Sequence, residues 1–152
     1  MLNKVALVIL MTLLMSSSMH RPTDSVRIAI FDATDPDQFL VLTEADDPDN
    51  WKLPGGRFEI AGDQVETPAA AAARELAEEL GLTPDQINLR AAATLNNHDG
   101  VSARYIFAGT ARPDQITPTA EIAQSGWFTT ATLPDSPNRG HMLEAVAAAR
   151  RL

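Results

Sequence analysis

Apolar and polar residues follow two different periods along this chain, and the changes of period mark its elements. Val26–Phe31 and Phe39–Thr43 are short apolar runs separated by an Asp35-Pro36 turn signal, and they predict two strands. Glu44–Asn50 is acidic and predicts a loop. After Thr67 the period becomes helical: Ala69, Ala73, Leu76 and Leu80 follow the i, i+4, i+7, i+11 spacing of a core stripe. Thr67 suits the cap of that helix, Pro68 its first turn, and Gly81 a left-handed end. Leu89–Leu95 and Ala103–Gly109 predict a strand pair around Asn96–Gly100, where Asp99-Gly100 is the turn signal. Ala111–Glu121, with Pro113 and Pro118, predicts a loop, and Trp127–Thr130 a short strand. Ser136-Pro137 predicts the cap of a last helix, on which Met142, Leu143, Val146 and Ala149 share an apolar face. Strands interrupted by two helices predict a mixed sheet packed between helices.

The start of the chain divides it at residue 20. Lys4, the apolar run Val5–Met15 and Ser16-Ser17-Ser18 have the outline of a secretory signal peptide, and the run is too short to span a bilayer comfortably. Two readings compete with export: an over-extended start, with Met15 or Met19 as the initiator, and an apolar helix that packs on the domain or on a partner chain. A cytoplasmic location is the expectation, with export left open by this segment. Residues 21–152 form one domain, without repeat or linker.

Composition removes several chemistries. The net charge is −8 with no long basic run, which argues against binding a nucleic-acid polymer through its backbone. The chain has no cysteine, so disulfides, thiolate zinc sites and cysteine nucleophiles are excluded.

What remains is a concentration of carboxylates. Glu66, Glu75, Glu78 and Glu79 fall with Arg74 within fourteen positions, after the glycine-rich Leu53-Pro54-Gly55-Gly56. Helical spacing brings Glu75, Glu78 and Glu79 to one face, opposite the apolar stripe. Crowded acids repel, a divalent cation relieves the repulsion, and oxygen-only ligands suit Mg²⁺ or Mn²⁺. Arg74 adjoins this face and is placed to hold Glu66 or Glu78 through a forked hydrogen bond. A solvated acidic face is the ordinary reading of such a run, but the glycine-rich entry, the Arg-Glu pair and the terminal glycine occur here in fixed order.

At these residues the chain resembles the Nudix hydrolase family. From Glu66 onward it matches that family's box at Glu66, Arg74, Glu75, Leu76, Glu78, Glu79, Gly81 and Leu82. The entry departs from the pattern: nine residues separate Gly56 from Glu66 where the family has five, as if Arg57–Val65 carried an insertion of four. Val65 also stands where many members have glycine, and Gly62-Asp63 is the expected place of the bulge. The resemblance extends to Trp51–Gly56, to Glu121, and to Trp127-Phe128 with Leu133-Pro134, covering Val26 to Arg151. It implies an α/β/α sandwich, a mixed sheet with a catalytic helix and a C-terminal helix. It implies Mg²⁺, with Mn²⁺ as substitute, held by Glu75, Glu78 and Glu79, with the Gly55 carbonyl as a further ligand. Glu78 or Glu79 would also activate water, Glu66 would support a metal-bound water or Arg74, and Arg74 would act as positioner. Glu121 is read either as a ligand or base, or as an ordinary loop acid. Asn138 resembles a purine-reading asparagine of the branch that cleaves oxidised dGTP. Dimers are frequent in the family.

Other residues admit plainer uses. Arg57 and Arg104 are candidates for phosphate contacts or simply surface cations. Trp51 and Phe107 suit base stacking less well than core packing, His98 suits a turn, and His141 the first turn of a surface helix. Three functions follow. The first is hydrolysis of a nucleoside diphosphate linked to X, with a (d)NTP or oxidised dNTP giving the monophosphate and pyrophosphate. The second is the same chemistry on ADP-ribose, a nucleotide sugar or a dinucleotide polyphosphate. The third is a Nudix-fold module that senses a nucleotide without cleaving it.

Overall fold

Alternation along one buried strand organises the molecule. In β1 (Ser25–Asp32), Val26, Ile28 and Ile30 point to one side of the sheet, while Ala29 and Phe31 point to the other. Each set seeds its own apolar cluster, so the sheet must be covered on both faces. The computed structural model describes residues 20–152; the apolar Val5–Met15 segment, with its three readings, lies outside the described residues.

Strand β1 pairs in parallel with β8 (Ala103–Ala111) over its whole length, and β8 pairs antiparallel with β7 (Arg90–Asn96). At its other edge β1 touches β2 (Phe39–Glu44) only at Phe31↔Phe39, and then β4 (Gly55–Arg57) pairs with its first three residues. β2 is paired instead with β3 (Asp47–Lys52) and β9 (Ile122–Phe128). The two halves of the sheet therefore splay apart at the start of β1, and β4 fills the opening. Helix α1 (Pro68–Leu80) covers the face carrying Val26, Ile28 and Ile30; helix α2 (Arg139–Arg150) covers the face carrying Ala29. This is the α/β/α arrangement expected from the resemblance. Among the described residues, no helix is long and apolar enough to cross a membrane.

The ends of α1 are where local chemistry puts them. Thr67 Oγ1 accepts the Ala70 N–H at 3.2 Å, Pro68 opens the first turn, and Gly81 closes the helix at φ 62°. Its faces differ from the expected ones. Ala69 is exposed and Ala73 half-buried, while Ala71, Ala72, Leu76 and Leu80 form the core contact, with Glu75 and Glu79 buried beside them. Alanine suits either face of a helix, so the five consecutive alanines Ala69–Ala73 gave the stripe no phase. Glu75 and Glu79 are thus set into the packed side of α1, not on a solvent face opposite it.

Three further expectations are corrected. Glu44–Asn50 is not a loop: it turns into β3, an exposed edge strand where Pro48 is tolerated because no partner needs its missing N–H. The late strand is Ile122–Phe128, earlier than Trp127–Thr130, because β2 offers it a continuous partner. Ser136 does not cap α2; its hydroxyl oxygen lies 2.8 Å from both Asn50 Oδ1 and the Trp51 carbonyl and has one hydrogen to donate between them, tying the approach to α2 onto β3. Trp51 and Phe107 pack, the first edge-on against Phe128 and the second within the main core cluster.

The corrected faces of α1 are testable by one pair of substitutions. Ala72→Glu places a charge at a fully buried site and is expected to cost ~3 kcal/mol or more. Ala69→Glu is expected to stay within ~0.5 kcal/mol of the parent. Urea unfolding followed by circular dichroism measures both; a larger loss at Ala69 than at Ala72 would restore the original stripe.

Candidate active site

The site begins with two glycines that let backbone approach where side chains cannot. Gly55 sits at φ 136°, and a Cβ there would collide with the Val26 carbonyl oxygen of β1. A Cβ on Gly56 would collide with the carboxylate of Glu75. Glycine at both positions allows β4 to lie between β1 and α1, against the acids of the helix. Gly55 N–H then donates to Glu79 Oε1 at 2.7 Å inside the protein.

Arg74 gathers the remaining acids. Its Nε and Nη2 donate to the two oxygens of Glu66, each at 2.8 Å, which is the fork expected for Glu66 or Glu78. Nη1 donates to Glu75 Oε1 at 2.9 Å and to Glu78 Oε2 at 3.1 Å, and Nη2 also reaches the Arg57 carbonyl at 3.0 Å. Glu66 Oε1 in turn accepts the Glu59 N–H at 2.8 Å. The four additional residues of the entry form a miniature hairpin, β5 (Ile60–Ala61) and β6 (Gln64–Val65), turning at Gly62-Asp63 with Gly62 at φ 65°. The bulge is therefore an ordered hairpin whose base is closed by Glu59 and Glu66.

Electrostatics separates these carboxyls. The Arg74 fork holds Glu66 below the usual carboxylate range. Burial pushes Glu75 up, against the opposing pull of Arg74. Burial also pushes Glu79 up to about 8, only partly offset by the Gly55 N–H. Glu79 is 1% exposed and its Oε2 has no hydrogen-bond partner. A buried orphan oxygen behind a second buried carboxyl is an environment that a proton or a hard cation would satisfy, and the donor set is all oxygen. As the side chains lie, however, no three of the described His, Asp or Glu residues converge as a ready-made ion site. The reason is visible: Arg74 Nη1 stands between Glu75 and Glu78, and Glu79 is turned to Gly55.

Two cavities meet here. An acidic cleft of about 450 Å³ is lined by Glu75, Glu78, Glu121, Glu59, Glu44 and Asp46, with Arg57 and Arg74 at its wall. Glu121 enters it from the head of β9, where its carbonyl accepts the Ala45 N–H at 2.8 Å. On the α2 side lies a second cavity of about 390 Å³, whose cations include Arg27, Lys52 and Arg104. Arg57 lines both.

Of the residues singled out by sequence, Arg74, Glu75, Glu78, Glu121 and Arg57 are brought to one cleft, with Glu66 joined to it through Arg74 and Glu79 and Gly55 immediately behind it. Asn138 lines the second cavity instead, with Nδ2 committed to Asn50 Oδ1 at 2.9 Å. Arg104 is not a surface cation: it is 5% exposed and fixed by Asn97 Oδ1 at 2.8 Å and Glu144 at 2.9 Å. His98 stays in the turn, edge-on to His141 at 6.2 Å, and His141 lines the second cavity from the start of α2. Sequence reasoning missed Arg27 and Lys52. Arg27 carried a signal, a lone cation inside the apolar run Val26–Phe31.

A family model described as NUDIX domain matches residues 21–148. No curated protein matches the chain. Similar solved structures include an ADP-ribose pyrophosphatase from Streptococcus suis, 24% identical, with a TM-score of 0.62 over 86% of this chain and 91% of that one. The E. coli dihydroneopterin triphosphate pyrophosphohydrolase is 26% identical, with a TM-score of 0.58 over 84% and 97%. A MutT protein from Methanosarcina mazei is 20% identical, with a TM-score of 0.59 over 84% and 91%.

The raised carboxyl of Glu79 has a consequence for the metal-free protein. Below pH ~4.5 folded and unfolded chains both hold this proton; between ~4.5 and about 8 only the unfolded chain releases it. Stability should therefore fall as pH rises through that window, by at most ~1.4 kcal/mol per pH unit for one proton. Urea midpoints at pH 5 and pH 8 in EDTA measure the slope, and Glu79→Gln should make it shallower.

Proposed function

The chain belongs to the Nudix family of hydrolases, and we propose that its acidic cleft cleaves the diphosphate of a nucleoside diphosphate linked to a further group X. One observation carries the reading: Glu66, Glu75 and Glu78 are held by a single guanidinium at the wall of a cleft that Glu121 enters from another segment. Acids gathered this way from the turn before β9, from α1 and from the base of the inserted hairpin repel one another, which suits a cationic guest.

Nudix hydrolases work with divalent metal ions. We assign Mg²⁺, or Mn²⁺ in its place, to Glu75, Glu78 and Glu79, with the Gly55 carbonyl as a further ligand. Bound there, the ion supplies charge neutralisation for the diphosphate and lowers the pKa of water. The protein's own groups do the rest. Arg74 keeps the three helix and hairpin carboxylates oriented. Glu66, kept ionised by the fork, anchors Arg74. Glu78, the most exposed of the three helix carboxylates, is the base we assign for the attacking water, with Glu121 as a second candidate across the cleft. Arg57, on the wall shared by both cavities, is placed to take the charge of the phosphate farther from the metals.

The simplest X is pyrophosphate, making the substrate a (d)NTP or an oxidised dNTP and the products a monophosphate and pyrophosphate. A second reading is favoured by the α2-side cavity, where the described lining residues include the His141 ring but no Phe, Tyr or Trp face for a base to stack on. That composition suits a sugar, as in ADP-ribose or a nucleotide sugar.

The test is turnover of a panel with Mg²⁺: canonical NTPs and dNTPs, 8-oxo-dGTP, ADP-ribose, UDP-glucose and a diadenosine polyphosphate. Cleavage of one class is expected, with Glu78→Gln slower by about 100-fold or more. Arg74→Lys, which keeps the charge and loses the fork, is expected to slow turnover by about 10- to 100-fold with little change in KM. No cleavage of any member with either metal would favour a sensing module that binds without hydrolysis.

A further inference from the structure

The second cavity is cationic in an anionic protein. Arg27, Lys52, Arg57 and Arg104 face it against one carboxylate, Asp99, while the chain as a whole carries −8. These cations are not equivalent. Lys52 is ion-paired to Glu44, and Arg104 to Glu144. Asp99 is turned back on its own loop, accepting from Ser102 Oγ at 2.6 Å and from the N–H groups of Val101 and Ser102.

Arg27 is different. It stands on the α2-facing side of β1, in the register Ser25↔Arg104 and Arg27↔Ile106, so its side chain and that of Arg104 leave the sheet on the same face. A guanidinium carries five donors, yet the described protein partner of this one is a single acceptor, the Leu53 carbonyl at 3.3 Å. No described carboxylate lies within ion-pair distance of it; Glu79, Glu75 and Glu44 act only from farther off. Burial weakens its hold on its proton below the ordinary arginine value. Arg27 is half-buried at the cavity wall, and with one neutral acceptor most of its donors are left to whatever enters there. An uncharged base edge would occupy the donors without answering the charge. A phosphate answers both, and guanidinium is matched to it in shape.

We infer that the α2-side cavity is an anion-binding subsite centred on Arg27, and that the sugar-like group it receives carries a phosphate of its own. The inference rests on reading the acidic cleft as the place of diphosphate cleavage, since Arg57 links the two cavities. The substrate class is then a diphosphate whose organic half ends in a phosphorylated, hydroxylated ring. Asn97 and Asn138 line the cavity with amide hydrogens to spare beyond their contacts with Ser102 and Asn50, and Leu53 with Met142 supplies its apolar floor.

The test is binding without metal, so it stands apart from turnover: a failure of hydrolysis counts against the cleft, and a failure here counts against the subsite. Isothermal titration in EDTA compares ribose 5-phosphate, ribose and guanosine on the wild-type protein. Ribose 5-phosphate is expected to bind about tenfold or more tightly than either of the others. Arg27→Gln should weaken it by about tenfold or more, and Arg27→Lys should recover part of the loss. Guanosine binding as tightly as ribose 5-phosphate would make the cavity a base pocket and overturn the inference, as would unchanged affinity in a folded Arg27→Gln protein. The wild-type comparison decides the matter even where that variant does not fold.

Discussion

One guanidinium ties three segments of the chain together at the acidic cleft. Arg74 touches the hairpin base through Glu66, the end of β4 through the Arg57 carbonyl, and its own helix through Glu75 and Glu78. Its five donors are spread over three carboxylates and a carbonyl, an arrangement that lysine's point charge cannot reproduce. Remove it, and like charges face one another across a partly buried cleft with nothing between them. The glycine pair of β4 is the complement of this interaction, since it brings backbone close enough for Glu75 and Glu79 to be buried at all.

The second theme is a reversal of electrostatic sign over a short distance. Acids line one cavity and cations the other, with Arg57 on the common wall. A polyanionic ligand approaching a chain of net charge −8 is repelled at long range. Short-range cations in a concave, low-dielectric recess reverse that repulsion locally, where field lines are focused. The splayed sheet makes this geometry available: because β1 leaves β2 after a single pair of residues, the opening at the start of β1 gives access to both faces.

Legibility in the sequence followed the range of the interaction that fixed each feature. The ends of α1 were readable because Thr67, Pro68 and Gly81 act within one turn, and so was the Gly62-Asp63 turn. The acid cluster and its arginine were readable because helical spacing alone brings them together. The phase of α1 was not, because alanine commits to neither face and the decision lay with the sheet beneath. Strand β3 was not, because Asp47, Pro48, Asp49 and Asn50 are poor strand formers held by an edge partner and by Ser136 and Asn138 from a distant segment. The cationic cavity assembles β1, β3, β4, β8 and the start of α2, and no local pattern announces a gathering of that kind.

The inserted hairpin bears on how a sequence motif should be understood. Its two ends are closed by Glu66 N–H to the Glu59 carbonyl at 3.0 Å and by Glu59 N–H to the Glu66 carboxylate. A closed excursion of this sort leaves its entry and exit side by side, whatever length of chain lies between. The interval between glycine and glutamate in such a signature is therefore a distance in space expressed as a residue count. Searches that fix the count will pass over members in which the chain takes a detour and returns to the same point.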